Sequence, residues 1–341
     1  MKQTASETPA SIASGRVLSR RALMAAATII AAGMLPGTGH AVTIVKGTVI
    51  GQQDWLYLVW DDPRRADFNQ MNRVTEIVEK AVATLRAARI DVVLAFVPAK
   101  SRVYRAFLPE DFRFTPETDR RYAVSLERLR KSGAIVPDLA EVFADMLKAK
   151  PDDKIFFKND THWTALGAEA AAKVIAQEMK AQLKLPPSPR PGANVGPAVT
   201  KVHVKSDLSL VLPPKEHPDE SFQVHEVVAA KGKASLIDDD RPDVVVVGSS
   251  YMQPKYNFAE MLSNQLNRPV GLVWKVHLVG PYKTLLSYVT SDSFKKQRPR
   301  AIVWNFLEID MELMPDSQAA LRENAMPPEA FLSELAAAVK I

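Results

Sequence analysis

The chain has 341 residues, no cysteine and a formal net charge of +5 at neutral pH. The absence of cysteine excludes disulfide bonds, thiolate metal ligands and a cysteine nucleophile, so stability must come from a buried core. Only four basic residues and one acidic residue lie within the first 41, which leaves 40 basic against 38 acidic residues in the remainder. This near balance gives no support for nucleic-acid binding, which would need a concentrated basic surface.

The first 41 residues are typical of a twin-arginine export signal. Arg20 and Arg21 precede an apolar stretch at 22–35, which is followed by Pro36 and by small residues up to Ala41. This stretch of about fourteen residues is shorter than the roughly 20 that a membrane-spanning helix needs. We therefore expect export to the periplasm with cleavage after Ala41. Retention as an inner-membrane anchor is the alternative.

An alternation of helices and strands follows. A strand-like opening covers 48–58 with a turn at 51–54, and residues 69–88 have apolar side chains at the three- and four-residue spacing of an amphipathic helix. The continuous apolar run at 91–97 predicts a strand buried on both faces. The next predicted elements are a helix at 119–131, a short strand at 134–136, a helix at 139–148 and a long helix from a Thr164 cap to 183.

Residues 184–240 interrupt this alternation with a proline-rich start and short alternating segments. We interpret them as an inserted β/loop segment that forms a lid or wall. The alternation then resumes with predicted strands at 243–247, 272–279 and 301–304 and predicted helices at 257–265, 282–288 and 328–340.

The whole pattern predicts an α/β fold with a mainly parallel sheet and helices on both faces. Ligands of such sheets bind beyond the carboxyl ends of the strands. Residues 98–100, 248–251 and 305–306 follow predicted strands and are expected there.

The most specific local signal is Gly248 at a strand end, followed by Ser249 and Ser250. Glycine permits a tight turn that can expose a hydroxyl nucleophile and backbone N–H groups above the sheet. Either serine could be the nucleophile. A phosphate- or solvent-binding turn, or a simple turn, is the competing interpretation.

Asp160 and His162 supply the partners that a serine nucleophile needs. The carboxylate can hold one ring nitrogen while the other acts as general base and then as general acid. Metal ligation is an alternative, but no further ligands occur at a metal-site spacing, so we predict no metal and no cofactor. A structural histidine at the entrance of a capped helix is the other alternative.

Five further side chains are candidates for substrate binding or oxyanion stabilisation, and each has a structural alternative. Lys100 could meet an anionic sugar or a developing oxyanion, or be a solvated loop lysine. The Asn305 amide could donate to an oxyanion, or belong to a strand-end turn. Tyr251 could be an oxyanion donor or a core aromatic. Trp163 and Trp304 could form a wall against a sugar ring, although packing in the core is the commoner fate of tryptophan.

Four segments combine into a recognisable order: Trp-Leu-Tyr at 55–57, Val-Pro-Ala-Lys-Ser-Arg-Val-Tyr at 97–104, Asp-Thr-His-Trp-Thr at 160–164 with Gly-Ala at 167–168, and Val-Gly-Ser-Ser-Tyr at 247–251. In this order they resemble the SGNH-hydrolase-like alginate O-acetyltransferase family (AlgJ/AlgX-like), over roughly residues 45–310. Ordinary SGNH hydrolases place the serine early and the Asp-x-x-His motif late, so the reversed order is informative. Residues 42–341 are thereby expected to form one SGNH-hydrolase-like domain with permuted motif order.

The resemblance implies a periplasmic enzyme that acetylates an exopolysaccharide, with Ser250 as nucleophile, His162 as base and Asp160 as the residue that orients it. It also implies a membrane-bound O-acyltransferase that delivers acetyl and a polysaccharide synthesis and export complex as partners. The chain ends soon after the core domain, which resembles the AlgJ-like branch without a C-terminal carbohydrate-binding module. The sequence departs from the family at Asn305, where Trp-Asn-Phe-Leu-Glu replaces the more usual Trp-Glu. A carbohydrate acetylesterase and a non-catalytic polysaccharide-binding subunit are the alternative functions.

Overall fold

The computed structural model describes residues 42–212, 217–228 and 242–340. The predicted export signal at 1–41 lies outside the described residues, as do 213–216 and 229–240 of the inserted segment, and residues 241 and 341. Within these described ranges, no helix combines the length and the apolar character needed to cross a membrane.

Strands and helices alternate along the described chain much as the sequence predicts. The strands are β1 (Ile44–Val45), β2 (Thr48–Ile50), β3 (Leu56–Leu58), β4 (Asp91–Val97), β5 (Asn194–His203), β6 (Glu220–Val228), β7 (Val244–Gly248), β8 (Val270–Trp274) and β9 (Ala301–Leu307). The α-helices are α1 (Phe68–Ala87), α2 (Lys100–Val103), α3 (Arg121–Lys131), α4 (Leu139–Ala149), α5 (Ala165–Gln182), α6 (Phe258–Leu266), α7 (Gly280–Val289), α8 (Asp292–Lys296), α9 (Gln318–Leu321) and α10 (Pro328–Val339).

A four-stranded parallel sheet in the order β4-β9-β7-β8 forms the core. Successive residues of each strand point to opposite faces, and in β4 Val92 joins the apolar cluster with α1, α3, α7 and α10, whereas Val93 joins the cluster with α4, α5 and α6. Both faces are therefore covered, which explains the continuous apolar runs of β4, β7 and β9. The predicted α/β fold with a mainly parallel sheet is confirmed.

Three predicted strands differ in length in the structure, because a strand extends only as far as it pairs with a neighbouring strand. The last pair between β7 and β8 joins Gly248 to Trp274, so β8 ends there instead of continuing to 279. Conversely, β9 stays paired with β4 as far as Leu307, which places Asn305 inside a strand instead of beyond it. The predicted strand at 134–136 is reduced to a single parallel bridge between Val93 and Ile135, next to Pro137, which cannot donate to a ladder.

The inserted segment contains an antiparallel hairpin of β5 and β6. Its register sets His203 opposite Glu220. Glu220 accepts hydrogen bonds from the backbone N–H groups of Lys158 (2.8 Å) and Asn159 (2.7 Å), which fasten this end of the hairpin to the loop before α5.

Candidate active site

The turn after β7 presents the two serines at the carboxyl end of the sheet. A Cβ atom on Gly248 would lie 2.6 Å from Met252 Cγ and 2.7 Å from Asn305 Cβ, so only glycine fits this close approach. Ser249 then caps a 3₁₀ helix that spans Ser250–Met252. The hydroxyl of Ser250 lies 2.8 Å from His162 Nε2. Of the two candidate serines, the structure therefore brings Ser250 to the imidazole.

His162 is held on its other side by Asp160. Its Nδ1 lies 2.6 Å from Asp160 Oδ1, and its backbone N–H donates to the same oxygen at 2.9 Å. An ionised carboxylate can only accept, so Nδ1 carries the proton and the neutral ring offers Nε2 as an acceptor to the Ser250 hydroxyl. The three side chains thus have the connectivity of a serine catalytic triad.

The second oxygen of Asp160 is bound by the inserted segment. His203 Nε2 lies 2.9 Å from Asp160 Oδ2, and the backbone N–H of Asp207 donates to the same oxygen at 2.9 Å. Burial of Asp160 by itself would raise its pKa, but the hydrogen bonds from His162 and His203 hold the pKa of this carboxyl well below its usual range. Asp160 is consequently ionised at neutral pH.

Sequence reasoning missed both His203 and Asp207. His203 is buried and stacks on Phe157 with ring centroids 4.1 Å apart. Asp207 accepts from the backbone N–H (2.8 Å) and the hydroxyl (2.5 Å) of Thr161, which fixes the residue between the acid and the base. Neither side chain has a characteristic spacing from the 160–163 motif. The apolar alternation around His203 would place Val202 and Val204 inward, whereas the structure exposes both valines and buries His203.

The side chains around His162 could instead bind a metal ion. Ligand atoms of Asp160, His162 and Asp207 all lie within 4.8 Å of one another, which is close enough for a shared cation. However, the two ring nitrogens of His162 already contact Asp160 and Ser250, so metal binding would displace one arm of the triad. The arrangement favours proton transfer, and the absence of a metal stays a prediction.

Lys100 supports the loop that carries Asp160 and His162, and it matches neither the contact with a sugar or an oxyanion nor the solvated lysine considered from the sequence. The side chain is 5% exposed, and its Nζ donates to the carbonyl oxygens of Leu56 (2.6 Å), Lys158 (2.9 Å) and Asp160 (2.9 Å). Burial lowers the pKa of Lys100 to about 8. Its three donors are used inside the protein.

The two tryptophans considered for a sugar-binding wall take the alternative position and pack in the core. Trp163 is fully buried and donates from Nε1 to the Tyr251 carbonyl at 2.8 Å. Trp304 is also fully buried and donates to the Pro281 carbonyl at 3.2 Å. Neither ring faces the surface that a sugar could reach.

Tyr251 and Asn305 do not aim their donors at the Ser250 hydroxyl. The Tyr251 hydroxyl donates to the Thr161 carbonyl at 2.5 Å, and its ring packs beside His162. The Asn305 amide nitrogen donates to the Ala95 carbonyl at 3.2 Å, while its oxygen accepts from the Ser249 hydroxyl at 2.8 Å and the Ser249 N–H at 3.2 Å. Asn305 therefore anchors the serine turn from the neighbouring strand, because β9 continues past it.

Glu308 joins the end of β9 to the 97–104 segment. It is fully buried and accepts from the Ala99 N–H at 2.9 Å, from Arg102 Nη2 at 2.6 Å and from Arg121 Nε at 3.0 Å. Burial by itself would raise the pKa of Glu308, but the two arginines lower it to about 2. This buried ion cluster fixes the strand ends on which the site is built.

A family comparison agrees with this geometry. A model of the SGNH hydrolase-like domain of acetyltransferase AlgX matches residues 48–308, which include Asp160, His162 and Ser250. The chain belongs to this family. The fold class and the enzyme class expected from the sequence, an SGNH-like α/β fold and an O-acetyltransferase, are both confirmed.

Individual relatives are named for alginate modification. The chain is 30% identical to a probable alginate O-acetylase AlgJ of Pseudomonas putida over 77% of this chain and 69% of the relative. It is 26% identical to the alginate biosynthesis protein AlgX of Azotobacter vinelandii over 78% of this chain and 54% of the relative. The solved O-acetyltransferase domain of Pseudomonas putida AlgJ superposes with a TM-score of 0.67 at 27% identity, covering 85% of this chain and 99% of that domain.

Proposed function

We propose that this member of the family is a periplasmic O-acetyltransferase that acetylates hydroxyl groups of an exopolysaccharide through an acetyl-Ser250 intermediate. The observation that carries the proposal is the hydrogen-bonded chain from the Ser250 hydroxyl to His162 (2.8 Å) and from His162 to Asp160 (2.6 Å). The names of the relatives, which refer to alginate, favour an alginate-like acceptor.

In the first half-reaction, Ser250 Oγ attacks the carbonyl carbon of an acetyl donor while His162 Nε2 accepts the hydroxyl proton. The tetrahedral intermediate collapses, the bond to the donor breaks, and the imidazolium returns its proton to the leaving oxygen or sulfur of the donor. Asp160 stabilises the imidazolium without taking its proton. Acetyl-Ser250 and the deacylated donor result.

In the second half-reaction, a sugar hydroxyl replaces the donor. His162 accepts its proton, the sugar oxygen attacks the acetyl carbon, and collapse of the intermediate returns a proton to Ser250 Oγ. Each tetrahedral oxyanion needs N–H donors from the serine turn. Because the Ser249 N–H already donates to Asn305, we assign this role to the N–H of Ser250.

The proposed cellular setting follows from the export signal and the family. The acetyl donor is made available outside the cytoplasm by a membrane-bound O-acyltransferase, and the acceptor is presented by a polysaccharide synthesis and export complex. No nucleic acid takes part. Both partners remain to be tested by co-purification from the native host.

The decisive experiment follows the acetyl group. Purified protein is incubated with p-nitrophenyl acetate, first alone and then with an alginate hexasaccharide, and both protein and sugar are analysed by mass spectrometry. We expect an acetylated protein that requires Ser250 and His162, and transfer to the sugar. Ser249→Ala is the matched variant, and it should retain the acetyl adduct that Ser250→Ala loses.

Two other results would identify the alternative functions. Hydrolysis that no sugar alters, with no acetylated sugar, would identify a carbohydrate acetylesterase. Polymer acetylation in cells that persists with Ser250→Ala and with His162→Ala would identify a non-catalytic polysaccharide-binding subunit.

A further inference from the structure

An apolar groove of about 330 Å³ opens beside the carboxyl end of the sheet. Its walls include Trp60, Leu278, Leu313 and Leu321. Trp60 is 69% exposed, unlike the buried Trp163 and Trp304. By contrast, the cavity between Lys100 and Tyr251 holds only about 30 Å³, which is too small for a sugar ring.

The floor of the groove carries a buried carboxyl group that lacks a hydrogen-bond donor on one oxygen. Asp310 is 2% exposed, and its Oδ2 accepts from the Leu307 N–H at 2.8 Å. Oδ1 has no hydrogen-bond partner among the described residues, and His277 Nε2 approaches it only to 3.5 Å. A buried carboxylate oxygen without a donor is costly, so a ligand hydroxyl at this point would be favoured.

The groove lies next to the serine turn. A second, smaller cavity shares Asp310 and His277 with the groove and is lined at its other end by Ser249 and Asn305. This cavity holds only about 10 Å³, so a sugar cannot pass through it, but it places the groove next to Ser249, which immediately precedes Ser250.

We infer that this groove is a subsite for one pyranose unit of the acceptor polysaccharide, next to the unit that receives acetyl. The C–H face of a pyranose ring is apolar and can stack on the exposed indole of Trp60, while its hydroxyls can donate to Asp310 Oδ1 and contact His277. The inference rests on the proposed function and extends it to the recognition of the neighbouring sugar.

The unpaired oxygen of Asp310 favours a sugar over a docked protein segment. A leucine or phenylalanine in the groove would leave Asp310 Oδ1 without a donor, whereas a sugar presents apolar and hydroxyl groups side by side. Asp310 Oδ1 lacks a donor within the described part of the chain, and an ionised ligand carboxylate has none to offer. The sugar bound here is therefore expected to turn its hydroxyls, and not a carboxylate, toward Asp310.

The test replaces Trp60 by Ala and by Phe in the full chain. Val227→Ala is the control, because Val227 is 46% exposed in β6 and lies outside the groove. Binding of an alginate hexasaccharide and of cellohexaose is measured by calorimetry, and acetyl transfer to each is measured by mass spectrometry with p-nitrophenyl acetate as donor.

We expect Trp60→Ala to raise the KM for the oligosaccharide about tenfold, to change kcat much less, and to weaken binding by a similar factor. Trp60→Phe should recover part of the loss because it keeps an aromatic face, and Val227→Ala should behave like the natural protein. A KM unchanged by Trp60→Ala overturns the inference, as does a natural protein that binds neither oligosaccharide. Failure of the proposed function would give a different result from failure of this inference. Ser250-dependent acetylation of the protein would be absent, while calorimetry would still measure oligosaccharide binding in the groove.

Discussion

Replacement of His203 by Ala should slow acetyl transfer without abolishing it. His203 donates to Asp160 Oδ2 at 2.9 Å, and a hydrogen bond to a charged group contributes about 1.5–3 kcal/mol. If that stabilisation is lost in the transition state, kcat/KM falls roughly 10- to 100-fold. The Asp207 N–H still donates to Oδ2 and His162 still contacts Oδ1, so the loss should be much smaller than that caused by Ser250→Ala.

The assay is the rate of p-nitrophenyl acetate turnover, measured together with the thermal unfolding midpoint. His225→Ala is a matched control, since His225 lies on the same hairpin and pairs with Glu169 through the same kind of imidazole–carboxylate contact. His225→Ala should lower stability but leave turnover near the natural level. His203→Gln should restore much of the activity, because its amide can donate to Asp160.

Two results would refute this reasoning. The first is a His203→Ala protein whose turnover matches that of His225→Ala, since the contact with Asp160 would then have no catalytic effect. The second is equal loss in His203→Ala and His203→Gln, which would indicate that packing against Phe157 matters and the donated proton does not.

Two other perturbations test the scaffold of the site. Gly248→Ala places a Cβ 2.6 Å from Met252 Cγ, so we expect the free energy of unfolding to fall by about 1–3 kcal/mol. Because the serine turn must move, turnover of p-nitrophenyl acetate should slow roughly 100-fold. A variant with the turnover of the natural protein would contradict this. The pKa of Glu308 is lowered from 4.5 to about 2, so the stability due to its charge, about 3 kcal/mol, is present above pH 4.5 and disappears as the pH falls toward 2. The free energy of unfolding of Glu308→Gln, measured in urea, should not fall over this pH range. A pH dependence equal to that of the natural protein would refute the assignment of this stability to Glu308.

The central sheet was predictable because burial on both faces leaves a continuous apolar run, as in the 91–97 and 244–247 segments. The glycine before two serines predicted the serine turn at one edge of the sheet, and the resemblance of the motif order to the family selected Ser250, His162 and Asp160. Strand ends were less predictable. They depend on the partner strand, which is why Asn305 proved to lie within β9 and to hold Ser249 from there.

The contacts around the triad could not be predicted from spacing. His203 and Asp207 reach Asp160 because the inserted hairpin folds back over the 158–160 loop, a contact between segments more than forty residues apart. Lys100, Trp163 and Tyr251 have side chains that suit either substrate or core, and only burial distinguishes the two. In each case the structure assigns them to the support of the 160–163 segment.

Burial of Lys100 protects the geometry of the site from changes in salt concentration. An ion pair at the surface weakens as dissolved salt screens it, but this ammonium group is nearly inaccessible and contacts three backbone carbonyls. The position of the 158–160 backbone therefore depends little on the surrounding electrolyte. In the periplasm proposed for this protein, where ionic strength follows the environment of the cell, His162 and Asp160 would stay aligned across that range.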